Sequence, residues 1–120
     1  MRIVVGGALY KKENAELIEK YGEGKVEVEI MPDLQAAMAL KAGKADYYLG
    51  SCQTGAGGAL GMAIAMNGME KCITVAMVGK VLDEEEILKA VKEGKKAFGF
   101  VPEAAARVIP AIMKGILENE

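Results

Sequence analysis

The sequence predicts an α/β fold, a three-layer αβα sandwich built on a five-stranded, mainly parallel sheet. Short β-branched or aromatic runs alternate with amphipathic helical stretches along the whole chain. Glycines follow most of these stretches, as they do at turns and helix ends. At 120 residues the chain is long enough for one hydrophobic core and too short for two. We therefore expect residues 1–120 to form a single domain.

The first part of the chain is typical of a strand, a helix and a second strand. Residues 3–5 are a continuous β-branched run that ends in two glycines, which predicts a buried strand. Helical spacing follows, with Asn14 at the start of the inner stripe, and Gly22 is expected to end this helix. Residues 26–30 alternate strictly between apolar and charged side chains, which predicts a strand with one solvated face.

The second helix and the third strand follow. Pro32 and Asp33 fit a helix start, and Gly43 fits its end. Within this helix we expect Leu34, Ala37 and Met38 to face the core. Residues 47–49 then form the third strand, which leads into a glycine-rich turn.

The last part of the chain adds two strands and two helices. Residues 73–78 are apolar except for Thr74, which predicts a fourth strand buried on both faces. Asp83 and Glu86 have the spacing of a helix N-cap and its capping partner. Residues 97–101 form the fifth strand, and the apolar stripe of the final helix contains Pro110, where we expect a kink.

The charged strand decides between two strand orders. Strand 2 carries Glu27 and Glu29 on one face, so it belongs at an edge of the sheet. The order 2-1-3-4-5, as in Rossmann-like and flavodoxin-like sheets, places it there, whereas 3-2-1-4-5 would bury both carboxylates. We predict the first order, in which the direction of winding reverses between strands 1 and 3. Ligands of such folds bind at the carboxyl ends of the strands at that reversal.

A glycine-rich turn lies at this predicted crevice. It follows strand 3 and enters an apolar helix, whose first N–H groups have no partner within the helix and carry partial positive charge. The turn therefore predicts a binding site for a small anion, a phosphorylated or carboxylate metabolite. The candidate ligand-binding residues are Gly7, Tyr10, Ser51, Gln53, Thr54, Gly55, Ala56, Gly57 and Gly58.

Several polar side chains near this turn have two readings. Cys52 precedes the helix start, where the local field favours a thiolate, so it is the candidate catalytic residue. It could equally be a small apolar residue that closes a strand. Lys11 and Lys12 could hold a phosphate or simply lie at a solvated helix start. Ser51 could bind the ligand or cap the helix.

The helix from Ala59 to Met66 is apolar on every side. Such a helix is covered on more than one face, and in a chain of this size the second cover is expected to be another subunit. We therefore expect a homo-oligomer that packs through this helix.

Composition argues against several other classes of function. The net charge of −2 is spread along the chain with no basic stripe, so we expect no nucleic-acid partner. No apolar run reaches the ~20 residues of a membrane span, and no secretory leader is recognisable. There is no histidine, and Cys52 and Cys72 lie far apart, so we expect no metal site, no cofactor and no disulfide framework. The cytoplasm is the expected compartment.

Residues 52–57 and 61–67 resemble the family of ribose-5-phosphate isomerase B and galactose-6-phosphate isomerase. In that family a strand ends in Cys-Gly-Thr-Gly-x-Gly and continues into a helix of similar sequence. The resemblance implies that Cys52 is a base that moves a proton between sugar carbons. It also implies an anion hole at the backbone of Thr54, Gly55 and Gly57, and it places Asn67 near the substrate.

The sequence departs from this pattern in several respects, among them the absence of the family's Asp-His pair after the first strand and the presence of only two arginines, Arg2 and Arg107. Gln53 replaces a glycine, about three extra residues separate Gly57 from Gly61, and no histidine is present to open a sugar ring. A resemblance over nearly the whole length is to the YhfU-like proteins, a small bacterial family of unknown function. The matching segments are 36–38, 46–48, 52, 54–57, 63–65, 94–95 and 97–99.

Three interpretations remain open at this point. The first is a non-catalytic module that binds a small anionic metabolite at the turn of residues 50–58. The second is an isomerase-like or lyase-like enzyme that uses Cys52. The third is an oligomeric or partner-binding protein in which the glycines serve only helix packing.

Overall fold

The computed structural model describes residues 1–53 and 57–119, and for residues 57–59 it describes the backbone alone. The strands are β1 Arg2–Gly7, β2 Glu27–Ile30, β3 Tyr47–Ser51, β4 Cys72–Thr74, β5 Ala76–Met77, β6 Lys80–Val81 and β7 Ala97–Phe100. The helices are α1 Lys11–Tyr21, α2 Asp33–Lys41, α3 Gly57–Asn67, α4 Glu84–Lys92 and α5 Ala105–Glu118. Two short 3₁₀ turns span Met69–Lys71 and Pro102–Ala104.

Five of the strands form one parallel sheet in the order β2-β1-β3-β7-β4. The predicted α/β class and parallel sheet are confirmed, and so is the position of β2 at an edge, where Glu27 and Glu29 are exposed. Since β1 is followed by β2 on one side and is paired with β3 on the other, the winding reverses between β1 and β3, as predicted.

The predicted order of the last two strands was wrong. The predicted strand 5, which is β7, lies between β3 and β4, and β4 is the predicted strand 4. All four residues of Ala97–Phe100 are buried, as a central strand requires, whereas Ile73 and Thr74 of β4 are only partly buried. The expected long strand at residues 73–78 is also broken. Strand β4 ends at Thr74, and the chain then forms the separate antiparallel pair of β5 and β6, with Val78 73% exposed at the turn.

Helices cover both faces of the sheet. One core cluster joins α1, α4 and α5 to one face, with Ile18, Phe98 and Ile112 among its fully buried side chains. The other cluster joins α2 and α3 to the opposite face around Val4 and Tyr48. These are the three predicted layers. Because α1 and α2 lie on opposite faces, a site at the reversal between β1 and β3 has one helix on each side.

The helix termini follow their local signals in most places. Asp83 Oδ1 accepts a hydrogen bond from the Glu86 N–H at 2.9 Å, and Glu86 Oε1 accepts one from the Asp83 N–H at 3.2 Å, which confirms the predicted cap. Helix α5 is continuous across Pro110. Nowhere in residues 1–53 or 57–119 is a helix both long and apolar enough to span a bilayer.

The expected inner face of α2 was confirmed at Ala37 and wrong at Leu34 and Met38. Leu34 and Met38 are 44% and 51% exposed, while the alanines at 36, 37 and 39 are buried. Small side chains let α2 approach the sheet and α3 closely, so the larger apolar residues lie on the outside. Helix α3 likewise buries Leu60 and Ala63 and leaves Met62 45% exposed.

Candidate functional site

The carboxyl ends of β1 and β3 meet through bare backbone. Gly7 has a left-handed φ of +77°, and Ala8 and Leu9 both donate backbone hydrogen bonds to the Ser51 carbonyl, at 2.9 and 3.1 Å. A Cβ at position 7 would lie 2.6 Å from the Ser51 nitrogen. Glycine is required here both by its φ and by this close approach. The exit loop of β1 is thereby fixed against the end of β3.

A carboxylate and a buried phenol lie beside this junction on the face of α2 and α3. Asp33 Oδ1 accepts a hydrogen bond from the Gly7 N–H at 2.9 Å and another from the Tyr48 hydroxyl. The Tyr48 ring is fully buried, and it fits because glycine faces it on both strands: a Cβ on Gly6 would lie 2.5 Å from the ring, and one on Gly50 3.0 Å from its hydroxyl. Asp33 is therefore held over the end of β1.

The environment of Tyr48 favours its neutral form. Burial is the largest cause that raises the pKa of Tyr48 well above its ordinary value, and the hydrogen bond and negative charge of Asp33 raise it further. The backbone of Gly7 acts in the opposite direction and more weakly. Tyr48 thus stays a hydrogen-bond donor to Asp33 at neutral pH.

A second polar network lies on the face of α1. Ser51 is fully buried, and its Oγ donates to the Leu9 carbonyl at 2.7 Å and accepts from Asn14 Nδ2 at 3.0 Å. Asn14 is also fully buried, and its Oδ1 accepts no hydrogen bond from any residue in the described ranges. Burying two polar side chains here is expensive unless they are bonded, so the network fixes the loop between β1 and α1.

That loop holds an unusual backbone conformation. Tyr10 has φ 64° and ψ 24°, which a bulky side chain rarely adopts, and its side chain is exposed at the edge of the site. Lys11 follows, and its ammonium donates to the Met31 carbonyl at 3.0 Å, beside the end of β2. A positive charge therefore lies at the same edge of the sheet as Tyr10.

Cys52 is buried directly after β3, and its N–H donates to the Phe100 carbonyl at 3.3 Å. Gln53 next to it is exposed. Thr54, Gly55 and Ala56 lie outside the described residues, as do the contacts that they would make. The backbone of Gly57 and Gly58 forms the start of α3, so this helix begins directly after Ala56 in the sequence.

Asn67 does not join the other candidates. It ends α3, about 15 Å along the helix from Gly57 at 1.5 Å per residue. Its Nδ2 donates to the carbonyls of Ala37 at 3.2 Å and Ala63 at 3.1 Å. Asn67 lines a cavity of about 490 Å³ with Asp46, which precedes β3, so it lies at the opposite end of the sheet. The structure therefore does not bring Asn67 together with the candidates at the carboxyl ends of β1 and β3, because the helix is too long to bring both ends to one site.

Three residues of this edge were not singled out from the sequence, namely Asn14, Asp33 and Tyr48. Asn14 had a visible signal, since it is a polar residue on an otherwise apolar helical stripe. Asp33 and Tyr48 had no such signal in the sequence, because the hydrogen bond between them depends on how α2 crosses the sheet. No group of three or more His, Cys, Asp or Glu in the described part of the chain is placed to hold a metal ion.

Residues 1–116 match the sequence family described as "Protein of unknown function DUF2620". The chain belongs to this family. The "Uncharacterized protein YhfU" of Escherichia coli K12 is 42% identical over 112 residues, which cover 93% of this chain and 95% of that protein. The protein of the same description from Shigella flexneri matches to the same extent. The resemblance to YhfU-like proteins is thus confirmed.

Two solved structures share the fold of this DUF2620 chain. Ribose-5-phosphate isomerase B from Giardia lamblia superposes with a TM-score of 0.73 and 17% identity, over 100% of this chain and 96% of that one. The type B ribose 5-phosphate isomerase of Trypanosoma brucei superposes with a TM-score of 0.63 and 17% identity, over 96% and 84%. These similarities establish a common architecture.

Proposed function

We propose that this protein binds a small phosphorylated or carboxylate metabolite at the carboxyl ends of β1 and β3. The observation that supports the proposal most is the convergence of two buried networks on this one edge. Asp33 and Tyr48 hold the end of β1 from one face of the sheet, and Ser51 and Asn14 hold the exit loop from the other. Such an arrangement preorganises a loop for a ligand.

Two positive features of this edge attract an anion, and the Asp33 carboxylate is the opposing charge. Helix α3 begins at Gly57 with no acidic residue in its first turn, so the partial positive charge of the helix start is not neutralised locally. The Lys11 ammonium adds a cation near the end of β2. Glycines at the start of α3 also permit close approach of an anion to the backbone.

The first experiment is a calorimetric titration with inorganic phosphate and with ribose 5-phosphate at two salt concentrations. We expect both to bind and to bind more weakly at high salt. Lys11→Gln should weaken both by about threefold to tenfold, as the loss of one partly screened charge predicts. Lys44→Gln, which removes an exposed charge at the opposite end of the sheet, is the matched control and should leave both unchanged. If neither anion binds the wild-type protein, the proposal is wrong.

An isomerase-like activity is the second candidate. It is favoured by the whole-chain match in fold to two sugar-phosphate isomerases together with the position of Cys52 immediately after β3. In this reading the Cys52 thiolate removes a proton from the carbon beside the sugar carbonyl and returns it to the former carbonyl carbon, while the hydroxyl proton of the first carbon passes through water to the former carbonyl oxygen. Isomerisation of ribose 5-phosphate that Cys52→Ser abolishes and Cys72→Ser leaves intact would support it. Absence of turnover by the wild-type protein would remove it.

We further propose that two copies associate through the outer faces of α2 and α3. Leu34 and Met38 lie one turn apart on α2, and Met62 is exposed on the neighbouring α3. Light scattering should show a species larger than the monomer, and Met62→Glu should dissociate it, whereas Met69→Glu outside this patch should not. A monomeric wild-type protein at micromolar concentration would contradict this proposal.

Cys52 and Cys72 form no disulfide, which fits the bacterial cytoplasm as the proposed compartment.

A further inference from the structure

We infer that Asp33 binds a hydroxyl group of the metabolite, so that the ligand is a polyhydroxylated, sugar-like anion and not a simple one. This inference rests on the proposed function, because it assumes that the anion binds at the same edge of the sheet. It assigns a second contact point to the ligand and thereby a chemical class.

The Asp33 carboxylate is held by one oxygen and available at the other. Oδ1 accepts from the Gly7 N–H at 2.9 Å and from the Tyr48 hydroxyl. No described residue donates to Oδ2, and the side chain is partly exposed. Each carboxylate oxygen has two lone pairs, so Oδ2 keeps its full capacity to accept. The group is thus oriented, charged and open to a donor.

A purely local role does not account for this geometry. Asp33 is the first residue of α2, directly after Pro32 at the N-cap position, and its carboxylate accepts no hydrogen bond from its own helix among the described residues. Here it is bonded across the sheet, to β1 and β3. Gly6 and Gly50 make the space for Tyr48 to reach it, since a Cβ at position 6 would lie 2.5 Å from the Tyr48 ring and one at position 50 would lie 3.0 Å from its hydroxyl.

The charge of Asp33 decides which part of a ligand it meets. A phosphate or carboxylate next to it would be repelled, so the anionic end must lie nearer Lys11 and the start of α3. Asp33 is left to meet a neutral donor. A hydroxyl group that donates to a carboxylate makes a short, charge-assisted hydrogen bond, which suits this position. Tyr48 acts as a positioning residue, since it fixes the carboxylate and does not itself reach the ligand.

The test compares ribose 5-phosphate with inorganic phosphate and with ribitol, a neutral polyol, in calorimetric titrations of the wild-type protein and of Asp33→Asn. Loss of the charged acceptor should weaken ribose 5-phosphate by about tenfold. Inorganic phosphate should bind unchanged or more tightly, because a repelling charge is gone. Asp46→Asn is the matched control at the opposite end of β3. Its side-chain oxygen accepts from the Arg2 N–H at 2.8 Å, which an amide oxygen can also do, so it should change neither ligand.

Equal weakening of both anions, or no change in ribose 5-phosphate, would overturn the inference. If Asp33→Asn does not fold, Tyr48→Phe gives the same comparison with the charge retained, and it should weaken ribose 5-phosphate severalfold while phosphate is unaffected. If wild-type protein binds neither anion, the proposed function is wrong. In that case ribitol binding that requires Asp33 would still uphold the hydroxyl contact, and absence of ribitol binding would refute it too.

Discussion

Tyr48→Phe tests how much the contact between Tyr48 and Asp33 contributes to stability. The substitution keeps the buried ring between Gly6 and Gly50 and removes only the hydroxyl that donates to Asp33. It creates no cavity large enough to add a packing penalty. Hydrogen bonds to charged groups contribute about 1.5–3 kcal/mol net, and Asp33 is partly exposed, so water compensates some of the loss. We expect a decrease of about 2 kcal/mol in the free energy of unfolding at pH 8.

Urea denaturation followed by circular dichroism measures this difference, and an unchanged m value would show that the unfolded state is the same. For a chain of this length the melting temperature should fall by roughly 6–10 °C. A decrease below about 0.5 kcal/mol would show that the hydroxyl is nearly as well solvated in the unfolded chain as it is bonded in the folded one.

The stability difference between the wild-type protein and Tyr48→Phe should also depend on pH, and the sign of that dependence can be predicted. Since the folded pKa of Tyr48 is raised, the folded state keeps this proton at pH values where the unfolded state has lost it. Its contribution to stability is therefore complete below about pH 10 and is lost as the pH rises beyond that value. The stability difference between wild type and Tyr48→Phe should shrink by up to about 1.4 kcal/mol per pH unit above pH 10. A difference that stays constant or grows would refute the reasoning.

Three further predictions follow from the same geometry. Gly7 and Gly43 share a φ of +77°, but only at Gly7 would a Cβ meet backbone atoms. Gly43→Ala should therefore lower the free energy of unfolding in urea by about 1–2 kcal/mol, and Gly7→Ala should lower it by at least about 2 kcal/mol more. Equal losses would contradict the close approach at Gly7. Ser51→Ala and Asn14→Leu each leave a buried polar group without its partner, so the double variant should lose less stability than the sum of the two, and additivity within about 0.3 kcal/mol would argue against the network. Burial raises the pKa of the Cys72 thiol, so iodoacetamide should label it at least about tenfold more slowly in the native protein at pH 8 than in urea; comparable rates would show that the site opens readily.

Much of the architecture was predictable because it depends on local pattern. Strict alternation with Glu27 and Glu29 placed β2 at the edge, and this in turn located the reversal between β1 and β3. The order of the last two strands was not predictable in the same way. The run at 73–78 predicts a strand buried on both faces, and hence the more central position of the two. Its final residues instead form a hairpin outside the sheet, with Gly79 at φ +84° in its turn.

The position of the candidate site in the fold was predictable from the sequence, whereas the residues that form it were only partly predictable. The glycines and Ser51 follow strand 3, so topology alone brings them to the crevice. The contact between Tyr48 and Asp33 joins residues 15 positions apart across a helix crossover, and no local sequence pattern predicts it. Asn67 lies away from these residues because the rise of an α-helix separates the two ends of α3 by about 15 Å.

The central claim is that a small anion occupies the edge where β1 and β3 end, and an amide-resolved NMR titration with ribose 5-phosphate tests it most directly. Saturating shifts should appear at Gly7, Tyr10, Ser51 and Gln53 and be absent at Asp46. Shifts confined to Asp46 and its neighbours, or none at millimolar ligand, would contradict the account.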